Sequence, residues 1–198
     1  MANVRTEGTD KTLEYWANRP YLSDTVRQSL AQANVLVVPS EGFRDQEIQV
    51  FPVCTEGFYE VLRDELPPGT RLEIAINDSD YKELALHSAT LIIASVVVGT
   101  TTLLILPVVV NIVSEYINRR LFNEKDRKES IVRWELTVVD GTRATKLTYE
   151  GPVTDFKDEM QRTVAEFSAT VAPPASESPL LLAPPLMNEA KLNGENNK

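Results

Sequence analysis

SATLIIASVVVGTTTLLILPVVVNIV, residues 88–113, carries no ionisable side chain, and its reading decides how the rest of the chain is organised. As one helix, roughly 26 residues at about 1.5 Å each reach about 39 Å, more than the roughly 30 Å hydrocarbon layer of a bilayer. Its polar side chains are serine, threonine and one asparagine, all able to bond back to a helix backbone or across to a neighbouring helix. Helices buried inside a globular fold are usually shorter and keep a polar stripe. The many β-branched residues would indicate a strand in water, but a lone strand in lipid leaves its backbone unsatisfied, so a helix is expected there. The stretch therefore predicts one transmembrane span over 88–113, inside a longer helix over 80–121.

Working outward toward the N-terminus, residues 1–12 are polar and read as loose. Ser23 has the chemistry of a helix N-cap ahead of DTVRQSLAQA, where Val26, Leu30 and Ala33 share a face. NVLVVP at 34–39 and EIQVFPV at 47–53 read as strands. Thr55 is placed to cap a helix to Leu66, with Phe58, Val61, Leu62 and Leu66 on one side, ended by Pro67, Pro68 and Gly69. RLEIAIN at 71–77 alternates, with Leu72, Ile74 and Ile76 inward. Residues 1–79 thus read as a small soluble α/β domain.

Toward the C-terminus, the segments Ile131 to Val139 and Thr142 to Tyr149 flank Asp140-Gly141, a dipeptide suited to a type I′ turn. That turn sets Trp134 opposite Leu147, Val132 opposite Tyr149 and Glu135 opposite Lys146. Thr154 then starts a helix in which Phe156, Met160, Val164 and Phe167 recur at helical spacing. Residues 122–171 read as a ββα domain, and the proline-rich stretch 172–198 as a disordered tail. The expected fold class is α+β: an α/β domain, one long membrane helix, a ββα unit and a tail.

The chain has 198 residues, 20 basic and 29 acidic side chains, and a formal net charge of −9, which excludes a general binder of genomic DNA. Residues 1–87 hold 15 acidic and 8 basic side chains, leaving −7 of that charge before the span. The single cysteine, Cys54, excludes an internal disulfide and any multi-cysteine metal site, and reads as a small, partly buried hydrophobe. The single histidine, His87, reads as an interfacial ring at the start of the apolar run. No zinc-protease, P-loop, dinucleotide or nucleophile-elbow motif is present, so neither catalysis, a metal nor another cofactor is expected. No basic segment followed by an apolar run opens the chain, so a cleaved signal peptide is not expected.

Within the span, Ser95, Gly99 and Thr102 form a small-residue stripe suited to close helix association, which predicts a homo-oligomer in the bilayer. Pro107 frees the Leu103 carbonyl and supplies a hinge, and Asn111 needs a partner in hydrocarbon. At the mouths, Asp78, Asp80, Glu83 and Glu115 become carboxylate rings that attract cations in a symmetric assembly. Arg71 and Lys82 precede the span, whereas Arg119, Arg120, Lys125, Arg127, Lys128 and Arg133 follow it, placing the C-terminal part in the cytoplasm of a single-pass inner-membrane protein.

In outline, an α/β part and a ββα part joined by SATLIIASVVVGTTTLLILPVVVNIV resemble the small membrane effectors of bacterial antiphage signalling systems, closest to the channel subunit of Hailong-type systems. The resemblance implies a homo-oligomeric ion channel gated by a nucleotide or oligonucleotide signal from a partner enzyme. It also implies a basic ligand-binding patch, for which Arg127, Lys128, Arg133 and Lys146 are the clustered candidates. The competing expectation is a one-pass anchor or adaptor that recruits a partner through its soluble domains or tail.

Overall fold

Residues 88–113 do not form one helix. In the computed structural model, which describes residues 3–41, 49–85, 90–99, 104–121 and 130–171, the stretch supplies two short strands and the start of a 16-residue helix. At about 1.5 Å per residue that helix is about 24 Å long, short of a hydrocarbon layer. No helix among the described residues is long and apolar enough to cross a membrane. The single-pass inner-membrane placement and the membrane-channel architecture are corrected accordingly.

In chain order the elements are β1 (Asn3–Thr9), α1 (Leu13–Ala17), α2 (Asp24–Leu30), β2 (Val35–Val38), β3 (Phe51–Pro52), α3 (Thr55–Glu65), β4 (Leu72–Ile74), β5 (Glu83–Leu84), β6 (Thr90–Ile92), β7 (Ser95–Gly99), α4 (Ile105–Arg120), β8 (Ile131–Asp140), β9 (Arg143–Pro152) and α5 (Val153–Val171). A 3₁₀ turn at Asp78–Asp80 precedes β5. Seven strands make one sheet, ordered β1-β9-β8-β7-β2-β4 with β6 also on β8, while β3 and β5 pair separately. β7 lies between antiparallel β2 and parallel β8. One sheet therefore joins strands from both sides of the apolar stretch, which overturns the expected α+β arrangement of two soluble units on a membrane helix.

The physical reason is burial on both faces. Val96 and Val98 of β7 face α3, α4 and α5, and Val97 faces α1 and α2; all three are at most 1% exposed. A central strand covered on both faces reads as an unbroken apolar run, the pattern that also marks a span. Each such valine contributes about 1.5 kcal/mol or more by leaving water. α4 is similarly enclosed: Leu106, Val109, Val110, Val113 and Ile117 are buried in the layer shared with α3 and α5.

Between β6 and β7 the register on β8 shifts by one. Ile92 pairs with Arg133 and Val96 with Leu136, so the β6–β7 side carries one extra residue, a bulge at Ile93-Ala94. The fully buried Trp134 fills the site and donates its indole N–H to the Ala94 carbonyl at 3.1 Å.

Two further expectations shift. Residues expected to be loose at the N-terminus form β1, paired with β9 from Asn3 to Thr9. The β8–β9 turn closes at Gly141-Thr142, with Asp140 opposite Arg143. Gly141 takes φ +57 and Thr142 does not enter positive φ, the pattern of a type II′ turn rather than I′. The register moves by two, keeping each residue's face but changing its partner: Trp134 meets Tyr149, and Leu136 meets Leu147. The proline-rich tail, 172–198, lies outside the described residues.

Candidate functional site

α3 and α4 run over the same face of the sheet, and the start of α3 meets the end of α4 beside β6 and the start of β8. There a cleft of about 300 Å³ opens, lined by Pro52, Val53, Leu84, Leu91, Arg120 and Ser130 among others. A site of this size is at the small end of ligand-binding cavities.

Cys54 sits at the junction of β3 and α3 with φ 70 and ψ 24, the only non-glycine residue with positive φ among the described residues. It is the N-cap of α3, and its own side chain caps nothing. The orphan amides are satisfied from a distance: Glu83 accepts from the Cys54 N–H at 2.7 Å and from the Glu56 N–H at 3.0 Å. Tyr81 donates its hydroxyl to the same carboxylate at 2.7 Å and stacks on Phe51 with ring centres 5.1 Å apart. Partial burial pushes the Glu83 carboxyl up, but the Tyr81 hydroxyl and the α3 amides outweigh it and hold it below the ordinary carboxylate value. Burial and the bond to Glu83 push the Tyr81 phenol above its usual range.

The other side of Cys54 is held by α4. Tyr116 donates its hydroxyl to the Cys54 carbonyl at 2.8 Å, and the Arg120 guanidinium donates to the Tyr116 oxygen at 3.1 Å. Burial disfavours the charge on Arg120, but the Tyr116 oxygen and the neighbouring Cys54 side chain more than offset it, so its pKa is raised. Its neighbour behaves differently. Arg119 bridges Glu65 at 2.9 Å and Glu115 at 2.7 Å, whereas no carboxylate among the described residues forms an ion pair with Arg120. The arrangement presents a cation at a largely apolar cleft, next to the strained Cys54 backbone. Glu83 already accepts from three described groups, so it is not a free base that would activate the thiol.

The residues singled out from sequence do not converge here as a set. Ser95 and Gly99 lie on β7, Pro107 and Asn111 on α4, and Thr102 lies outside the described residues. Among the described residues, Ser95 and Gly99 on β7 and Pro107 and Asn111 on α4 line no common path. Asn111 accepts from Gln161 of α5 at 2.7 Å, and Pro107, the exposed third residue of α4, stands where a helix has no amide partner to lose, so it is no hinge. Asp78 and Asp80 sit in the 3₁₀ turn, Glu83 caps α3 and Glu115 pairs with Arg119, so these carboxylates form no mouth.

Of the basic candidates, Arg127 and Lys128 lie outside the described residues. Arg133 pairs with Glu135 at 3.1 Å and Lys146 with Glu7 at 2.7 Å, each neutralised on the face of the sheet away from α5. Ser95 and Arg133 do come together, lining a shallow cleft of about 210 Å³ with Ser40, Ile92 and Glu135. Sequence reasoning assigned Cys54 to packing and Arg120 to topology, and gave Tyr81 and Tyr116 no role. The cap expected from sequence, Thr55, is instead the first residue of α3 and donates its hydroxyl to the Pro52 carbonyl at 2.6 Å, which leaves the cap position to Cys54.

A second polar cluster pins the start of the loop after β2. Glu41 takes Lys11 at 2.8 Å and Arg19 at 2.9 Å, and accepts the Tyr15 hydroxyl at 2.8 Å. Burial and that bond push the Tyr15 phenol up to about 12. Among the described residues no group of histidine, cysteine or carboxylate side chains is placed to hold a metal. Compared with protein-family models, with curated proteins and with solved structures, the chain matches none.

Proposed function

We propose that the chain is a non-catalytic binding module that takes a small anionic ligand, bearing a phosphate or carboxylate, in the cleft at the α3–α4 end of the sheet. The observation that carries this reading is the contrast between adjacent arginines: Arg119 is bridged by two carboxylates, whereas Arg120 lines the cleft and, among the described residues, bonds the Tyr116 phenol and no carboxylate. In a chain of net charge −9, a guanidinium that forms no ion pair among the described residues and lines a concave, largely apolar surface is suited to recognise an anion by charge-assisted hydrogen bonds. Tyr116 fixes its orientation, and Leu84, Leu91 and Ile92 supply the apolar wall. A phosphate-bearing signal of the kind that the antiphage resemblance implies belongs to this ligand class. The engaged state of Glu83 favours binding over thiol catalysis.

Thermal unfolding of the full chain against inorganic phosphate and nucleoside monophosphates, compared with Arg120→Gln, tests the reading. The expected result is a midpoint that rises with probe concentration in the wild type and is insensitive to it in the variant. Equal shifts in both proteins, or none at millimolar probe, would overturn it, provided circular dichroism shows the variant folded.

A further inference from the structure

The sheet ends in two different edges. β4 is three residues long, whereas β1 pairs with β9 at seven consecutive positions, with no proline and no bulge. Edges are normally blunted by shortness, proline, a bulge or a cover. Among the described residues nothing covers β1, its one blunting feature is the charge on Arg5 and Glu7, and five of its seven residues are exposed. Its side chains alternate: Val4 packs against the core beneath α5, and Arg5 and Glu7 project from the opposite face, where Glu7 bridges Lys146 of β9 at 2.7 Å.

We infer that β1 pairs with β1 of a second copy, antiparallel about Thr6, making one sheet continuous through a two-fold dimer. The sequence Asn3-Val4-Arg5-Thr6-Glu7-Gly8-Thr9 specifies this register by charge. With Thr6 opposite Thr6, each Arg5 faces the Glu7 of the other copy, so two opposite-charge pairs form across the seam. Sliding by two residues either way sets Arg5 against Arg5 or Glu7 against Glu7, and a slide by one turns the two copies' faces opposite. The chosen register also extends an existing row: Lys146, Glu7 and the second copy's arginine alternate in sign across three neighbouring strands. Arg5 forms no ion pair among the described residues of its own chain, which leaves it for this one. The isologous geometry closes on itself.

Sedimentation of the full chain tests the dimer. The wild type is expected at twice 22.1 kDa at micromolar concentration. Arg5→Glu and Glu7→Arg each set like charges opposite one another and are expected to weaken dimerisation at least tenfold alone, while a 1:1 mixture restores it as a heterodimer. Because Glu7→Arg also removes the Lys146 partner, a second measurement stands apart from it: Thr6→Cys in a Cys54→Ser background is expected to give a disulfide-linked dimer under mild oxidation, since the two positions face each other across the axis. A wild type that stays at 22.1 kDa up to about 100 µM, or a Thr6→Cys protein that crosslinks no faster than Arg5→Cys, would overturn the pairing.

Discussion

Cys54 holds a left-handed backbone conformation that costs a side-chain-bearing residue about 1–2 kcal/mol, and Glu83 and Tyr116 compensate by bonding its amide and its carbonyl. The conformation is set by these partners and not by the thiol. Cys54→Gly is therefore expected within about 0.5 kcal/mol of wild-type stability, with relief of strain offset by the greater freedom of the unfolded chain, while Cys54→Val loses about 1–2 kcal/mol; denaturant titration reads both. Glu83 gives a pH dependence. Its folded value lies below the ordinary 4.5, so its stabilisation is complete above that value and is lost as pH falls through the folded one. Glu83→Gln is expected to make the acid-side loss of stability shallower below about pH 4.5, and an unchanged slope would remove Glu83 from the account. None of this was legible locally, because the carboxylate that caps α3 arrives from 27 residues beyond Glu56. The sequence offered Thr55 as the cap, but Thr55 is the first helical residue and donates its hydroxyl to the Pro52 carbonyl at 2.6 Å.

Elements with a local cause were read closely. Ser23 caps α2 by accepting the Val26 N–H, and α3 ends before Pro67-Pro68-Gly69 as the proline pair requires. The β8–β9 hairpin was found with its faces right and its register off by two, because Gly141 occupies the first turn position and not the second. β1 was missed because six of its seven residues are polar or glycine and only Val4 reaches the core, so its pairing depends on β9 about 140 residues away. Gly99 illustrates how one residue supports two readings. A small residue suits helix contacts in lipid, but here its place in β7 is explained by α1: an added Cβ meets Leu13 Cδ1 at 3.0 Å. Gly99→Leu is therefore expected to destabilise by about 1–3 kcal/mol through overpacking, measured by thermal or urea unfolding, and a neutral effect would argue against β7 packing beneath α1.

At the scale of the whole molecule, one ambiguity governed everything else. A long uncharged run is produced both by lipid and by a strand and helix enclosed on all sides, and periodicity does not separate them when every face is apolar. The bulge at Ile93-Ala94 and the helix start at Ile105 divide the run into pieces too short to span, and the sheet order then ties both halves of the chain together through β7. Which strands flank β7 was not legible, since it rests on contacts with Val35–Val38 and Leu136–Val139 that no local pattern encodes. Backbone NOEs for the full chain in detergent-free buffer test this placement most directly. The account predicts cross-strand contacts from Val97 to Leu36 and to Thr137, with helical contacts beginning only near Ile105. An unbroken series of helical contacts from Ser95 to Val113, with none to Leu36 or Thr137, would contradict it.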